Sequence, residues 1–120
     1  MFPSTVFRRA RALAVALLVA ACGPIAYESG RAFDPAVVAT SLHAGSSTKA
    51  DVQRVLGPAF GQGVSMMPYQ ATPHDTWTYF FDHGVVDPGT MKGEDEMSYL
   101  FVFFDGDRMD SYLWFTAKLH

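Results

Sequence analysis

The sequence predicts an α+β domain in which two short N-terminal helices pack on a three-stranded antiparallel β-meander, in the order ααβββ. Three observations carry this expectation. The stretch Gly45 to Pro58 is punctuated at both ends as a short helix, Asp34-Pro35 opens another helix just upstream, and three runs rich in β-formers follow, the last two joined by an Asp-Gly turn. A chain of 120 residues with ten Phe and 49% apolar residues can bury one compact core.

In the first helix Asp34 is placed to cap the amino end and Pro35 to occupy the first turn. Phe33, Val37, Val38 and Leu42 then line its inner side, and Gly45 ends it. In the second helix Thr48 is the N-cap, and Asp51, three residues on, can reach back to the Thr48 amide while its charge suits the positive end of the helix dipole. Val52, Val55 and Leu56 form its apolar stripe, Gly57 takes the left-handed position at its end, and Pro58 forbids continuation. Neither helix is long enough to persist alone in water, so both stripes need a common surface.

Gly61, Gly63, Pro68 and Pro73 break residues 59–74 into loop or short edge strand. No helix follows Gly61-Gln62-Gly63, so a phosphate-binding loop is not indicated. Met66, Met67 and Tyr69 either serve a partner or fold back over the core. The first strand is read at Thr76-Trp77-Thr78-Tyr79-Phe80-Phe81 and the second at Met97 to Phe104, with a long acidic connection from Asp82 to Glu96 between them. The third runs from Arg108 to Thr116 after the Asp105-Gly106-Asp107 turn. The second strand is apolar on both faces, as a central strand should be. Alternation assigns Leu100, Val102 and Phe104 to the helix side and Tyr99, Phe101 and Phe103 to the opposite side, with Tyr112 and Trp114 expected beside them. Those five aromatics are the expected partner-binding residues, covered either by 59–74 or by another protein.

The amino end reads as an export signal over residues 1–21. Arg8, Arg9 and Arg11 precede a ten-residue apolar run, Ala12 to Ala21, which at about 15 Å of helix is too short to span a hydrocarbon core of about 30 Å. Arg8-Arg9 lacks the surroundings of a twin-arginine signal, which leaves ordinary secretory export. The one cysteine, Cys22, follows Val19-Ala20-Ala21, an arrangement that resembles a bacterial lipobox. That resemblance implies cleavage before Cys22 and acylation there, palmitate included, giving a persistent membrane anchor. Gly23, where Asp would signal inner-membrane retention, points to the outer membrane and its periplasmic face. Residues 22–32 show no periodicity and read as a lipidated tether, ahead of a folded domain over 33–120. Without the signal, six Lys/Arg stand against twelve Asp/Glu, a formal net charge of −6 that disfavours nucleic acid as a partner.

The string Gly-Ser-Ser-Thr-Lys-Ala-Asp-Val-Gln-Arg-Val-Leu-Gly-Pro over 45–58 resembles the G-x-T-x-x-x-V-x-x-x-L-G-x-P pattern of the SmpA/OmlA (BamE-like) outer-membrane lipoproteins, with one extra residue between Gly45 and Thr48. Trp77-x-Tyr79 and Phe104-Asp105-x-Asp107 are similar to the same family, and the resemblance runs from about Phe33 to Trp114. It implies a lipid-anchored scaffold or adaptor that supports β-barrel protein assembly in the outer membrane, or envelope integrity. The alternative is an inhibitor-like binding module that grips another envelope protein or ligand outside the barrel-assembly machine. Catalysis is not expected. His43, His74, His83 and His120 form no metal-binding or nucleophile spacing, and Glu94-Asp95-Glu96 and Asp105-Gly106-Asp107 lack the pattern of a calcium loop. No catalytic or metal residue, no cofactor and no small-molecule substrate is therefore expected.

Overall fold

The computed structural model describes residues 23–120; the signal peptide read over 1–21 and the lipidation residue Cys22 lie outside the described residues. The element order is β1 (Ile25–Gly30), α1 (Pro35–Ser41), α2 (Lys49–Leu56), β2 (Gly61–Ser65), β3 (His74–Asp87), β4 (Lys92–Asp105) and β5 (Arg108–Leu119). The expected three-stranded ααβββ meander is thus corrected to a five-stranded antiparallel sheet that carries two short helices. The order across the sheet is β1-β3-β4-β5, and β2 shares with β1 the outer edge of β3. β2 covers residues 74–78 of that edge and β1 covers 81–86.

Of the two extra strands, β2 lies in the 59–74 stretch read as loop or short edge strand, and β1 lies in a segment with no strand pattern. The 22–32 stretch read as a tether contains β1, whose residues are all exposed. Its pairing is made by main-chain groups along β3, so no alternation of apolar side chains announces it. β2 is built on Gly61-Gln62-Gly63-Val64-Ser65, two glycines in five residues. The long connection read from Asp82 to Glu96 is also corrected: β3 and β4 continue through it as a hairpin, closed between Asp87 and Lys92. The turn is held by the Met91 amide donating to the Asp87 carbonyl at 2.7 Å and the Gly89 amide donating to Asp87 Oδ1 at 2.8 Å. Of the acidic residues in that stretch, Glu96 joins a cross-strand row with Glu28, His83 and Lys118, in which Lys118 Nζ reaches Glu96 Oε2 at 3.0 Å.

The helices cover only one half of one face. Val38 and Leu42 from α1 and its end, Val52 and Leu56 from α2, and Tyr79, Leu100, Val102, Phe104 and Met109 from the sheet make the core. Burying a side chain of this size stabilises the fold by about 1.5–3 kcal/mol. Val37, expected inward, is exposed, because Val38 and Leu42 one turn apart turn it to the flank; α1 ends at Ser41, and Gly45 lies in the connection.

The second helix is capped by a reciprocal pair: Asp51 N–H donates to Thr48 Oγ1 at 3.3 Å, and Thr48 N–H donates to Asp51 Oδ2 at 2.9 Å. Gly57 sits at φ 77°, where a β-carbon would run into the Arg31 guanidinium. Its carbonyl accepts from the Tyr79 hydroxyl at 3.0 Å, which ties the end of α2 to the sheet. The connection between the helices pairs with the start of β5, through Gly45 N–H to Met109 O and Met109 N–H to Ser47 O, both 2.7 Å. The capped motif is thereby held at both ends.

Candidate functional site

The face of the sheet away from the helices is uncovered and aromatic. Residues opposite one another on antiparallel strands share a face, so the register places Thr76, Thr78 and Phe80 of β3 with Phe103, Phe101 and Tyr99 of β4, and those with Ser111, Leu113 and Phe115 of β5. A ladder of rings crosses the strands. Phe60 meets Phe80 at 5.5 Å between centroids, Phe80 meets Tyr99 at 5.1 Å, and Tyr99 meets Phe115 at 5.1 Å. Phe101 stacks 6.3 Å from both Tyr99 and Phe115. Phe115 keeps 44% of its surface exposed, and Leu113 and Phe60 are exposed as well.

A groove of about 360 Å³ runs beside this ladder, lined by Gly61, Gly63, Ser65, Thr76, Phe101 and Phe103 among others. The two glycines of β2 and the two threonines of β3 form its low side, since Gly61 and Gly63 carry no side chain into the space above Thr78 and Thr76. Small residues beside large rings leave a hollow that an extended side chain can enter.

Of the five expected partner-binding residues, Tyr99 and Phe101 lie in this ladder, and Phe103 shares the face but is only 6% exposed, packed beside Thr76 and Ser111. Tyr112 and Trp114 are on the other face, a correction to the expected grouping. Tyr112 lies opposite Val102 and packs against the core; Trp114 lies opposite Leu100 and is 46% exposed. The cause is one residue. Phe104 pairs with Met109 but Phe103 pairs with Ser111, so Asp110 is a bulge, and every later residue of β5 changes face. Without it Phe101 would face Tyr112 and Tyr99 would face Trp114. Counting onward from the Asp-Gly turn cannot reveal the bulge, which is why alternation names Tyr112 and Trp114 in place of Leu113 and Phe115; Phe80 carries no sequence signal beyond its place in a strand.

A second cluster lies on the same face near the hairpin turn. Asp82, Asp95 and Tyr27 come together there, with one oxygen of each carboxyl shielded from water and lacking a protein partner. A hydrogen bond shared with Asp95, then shielding and the Asp95 charge, push the Asp82 carboxyl above the usual carboxylate range. The Tyr27 hydroxyl is pushed up by its hydrogen bond to Asp95 first. The ring of Tyr27 lies over Gly84, where an added β-carbon would stand 2.6 Å from the tyrosine oxygen. This trio can hold a proton, but no nucleophile stands beside it among these side chains.

No family model, curated protein or solved structure matches this chain. The site must therefore be read from its own chemistry. Among the described residues, no group of three or more His, Cys, Asp or Glu is gathered to hold a metal ion, and no helix is long and apolar enough to cross a membrane. What the geometry offers is a sticky, shape-bearing face: rings for area, small residues for a hollow, and few charges near its centre.

Proposed function

We propose that this protein is a lipid-anchored envelope adaptor that holds a protein partner on the aromatic face of its sheet, in support of β-barrel assembly or envelope integrity at the outer membrane. The observation that carries the proposal is the ring ladder Phe60, Phe80, Tyr99, Phe101 and Phe115, lying uncovered beside a small-residue groove on the side of the sheet that no helix occupies. Phe60 and Phe115 are exposed at the two ends of the ladder and Phe80, Tyr99 and Phe101 are half-buried between them, an apolar cluster of the kind that marks interaction sites. The anchor comes from the sequence: one cysteine, Cys22, directly behind a ten-residue apolar run that follows three arginines. The resemblance of residues 45–58 to the SmpA/OmlA pattern supplies the barrel-assembly setting, and the capped helix keeps that segment rigid against the sheet.

The anchor is tested by Cys22→Ala. The variant is expected in the soluble periplasmic fraction, whereas the parent protein fractionates with the outer membrane and carries acyl chains by mass. A Cys22→Ala protein that still sediments with the outer membrane, together with a parent mass free of acyl chains, would overturn it.

A further inference from the structure

We infer that the hairpin end of the sheet, formed by the start of β1, the β3–β4 turn and the end of β5, rests on the lipid bilayer, so that the sheet stands upright and its helical end points away from the membrane. The inference rests on lipidation of Cys22 as proposed above. Its first support is the register. Ile25 opens β1 opposite Val86, only one residue before the end of β3. Gly23 and Pro24 alone separate Cys22 from Ile25, and three Cα steps extend at most about 10 Å. The attachment point is therefore close to the hairpin end, not on a long free leash, because the segment that the sequence suggests as a tether is paired along β3.

The second support is independent of Cys22. Exposed large apolar side chains from separate segments lie at this end: Ile25 from β1 and Leu119 from β5 on one face, Val85 from β3 on the other, and Met91 in the turn. Met91 is 79% exposed and sits at φ 56°, the left-handed position of a turn that its own amide closes on the Asp87 carbonyl. The charges here are Asp87, Glu94 and Asp95 against Lys92, with Lys118 engaged by Glu96. Such a balance does not draw the domain to anionic lipid by charge. Apolar side chains dipping among headgroups, next to a covalent anchor, hold it instead.

The geometry has a functional consequence. β3 is a strand of 14 residues, about 45 Å from end to end, so the capped amino end of α2, which lies beside Arg108 at the far end of the sheet, stands roughly that far from the lipid, while its carboxyl end, tied to Tyr79, stands about 26 Å away. The aromatic ladder then faces sideways, parallel to the membrane surface, where a neighbouring envelope protein can reach it.

The test places a thiol-reactive fluorophore on Met91→Cys or, separately, on Gln53→Cys in the full-length lipidated protein, reconstituted in vesicles of phosphatidylethanolamine and phosphatidylglycerol with brominated acyl chains. Both positions are exposed, and the thiol of an acylated Cys22 does not take label. Position 91 should be quenched several-fold more strongly than position 53. Equal or absent quenching at the two positions, with acyl chains present by mass and the protein bound to vesicles, would overturn the upright placement while leaving the anchor intact. A protein that carries no acyl chains would remove the anchor, and this inference with it.

Discussion

Thr48 and Asp51 show how much depends on two oxygen atoms at one helix end. Each accepts an amide hydrogen that would otherwise be left without a partner in the first turn of α2. Thr48→Ala should cost about 1 kcal/mol of unfolding free energy, measured by chemical denaturation; an unchanged midpoint would mean that the cap contributes nothing. Asp51 adds a dependence on pH. The backbone amide of Thr48, then its hydroxyl and the Arg54 guanidinium, hold the Asp51 carboxyl below its ordinary range. A depressed folded value means that the unfolded chain takes up the proton first, near pH 3.9. The stabilisation is thus present above that pH and is lost as pH falls through the folded value. Asp51→Asn should flatten the acid limb of the stability profile, and parallel profiles for the two proteins would contradict this account.

Among the elements, β1 is the one whose attachment has the least obvious cause, since every residue in it is exposed. Main-chain pairing along β3 holds it, and Tyr27 closing over Gly84 adds a side-chain contact. Gly84→Ala would bring a β-carbon to 2.5 Å from the Glu94 carbonyl oxygen and 2.6 Å from the Tyr27 oxygen. The cost should be about 1–3 kcal/mol, as for other overpacked sites, with accelerated amide exchange over residues 25–30. Exchange in β1 equal to that of the parent would show that Tyr27 does not hold the strand. The helices and the core-facing residues of β4 were readable in the sequence because each has a local cause: caps, stops and alternation around Leu100, Val102 and Phe104. β1 was not, and β2 was legible only as the edge-strand alternative over 59–74, since both are strands by virtue of the edge they meet on β3. The far half of the hairpin was hidden by its acids, which lie on paired strands and not in a loop, Glu96 in a charge row with His83 and Lys118. For the candidate site, Tyr99 and Phe101 followed from alternation alone, whereas Tyr112 and Trp114 were exchanged for Leu113 and Phe115 by the bulge at Asp110, a feature of pairing and not of composition.

At the scale of the whole molecule the sheet has two unlike faces and two unlike ends. One face carries the helices over half its length, and the other carries the rings. One end holds the capped motif, and the other lies near the point at which Cys22 joins the chain. The proposed adaptor role would use this separation, because anchoring and partner capture must not compete for the same surface. The adjoining residues Trp114 and Phe115 make the separation measurable: both are nearly half exposed, but they point to opposite faces of β5. Phe115→Ser and Trp114→Ser should therefore disturb stability to a similar, small extent while differing in function. The decisive measurement is co-purification of the full-length protein from detergent-solubilised envelopes, read beside thermal unfolding for each variant. The account predicts that barrel-assembly subunits accompany the parent and Trp114→Ser proteins and are lost from Phe115→Ser at nearly unchanged unfolding temperature. Retention of those subunits by Phe115→Ser, or a single soluble envelope enzyme in their place on the parent protein, would contradict it.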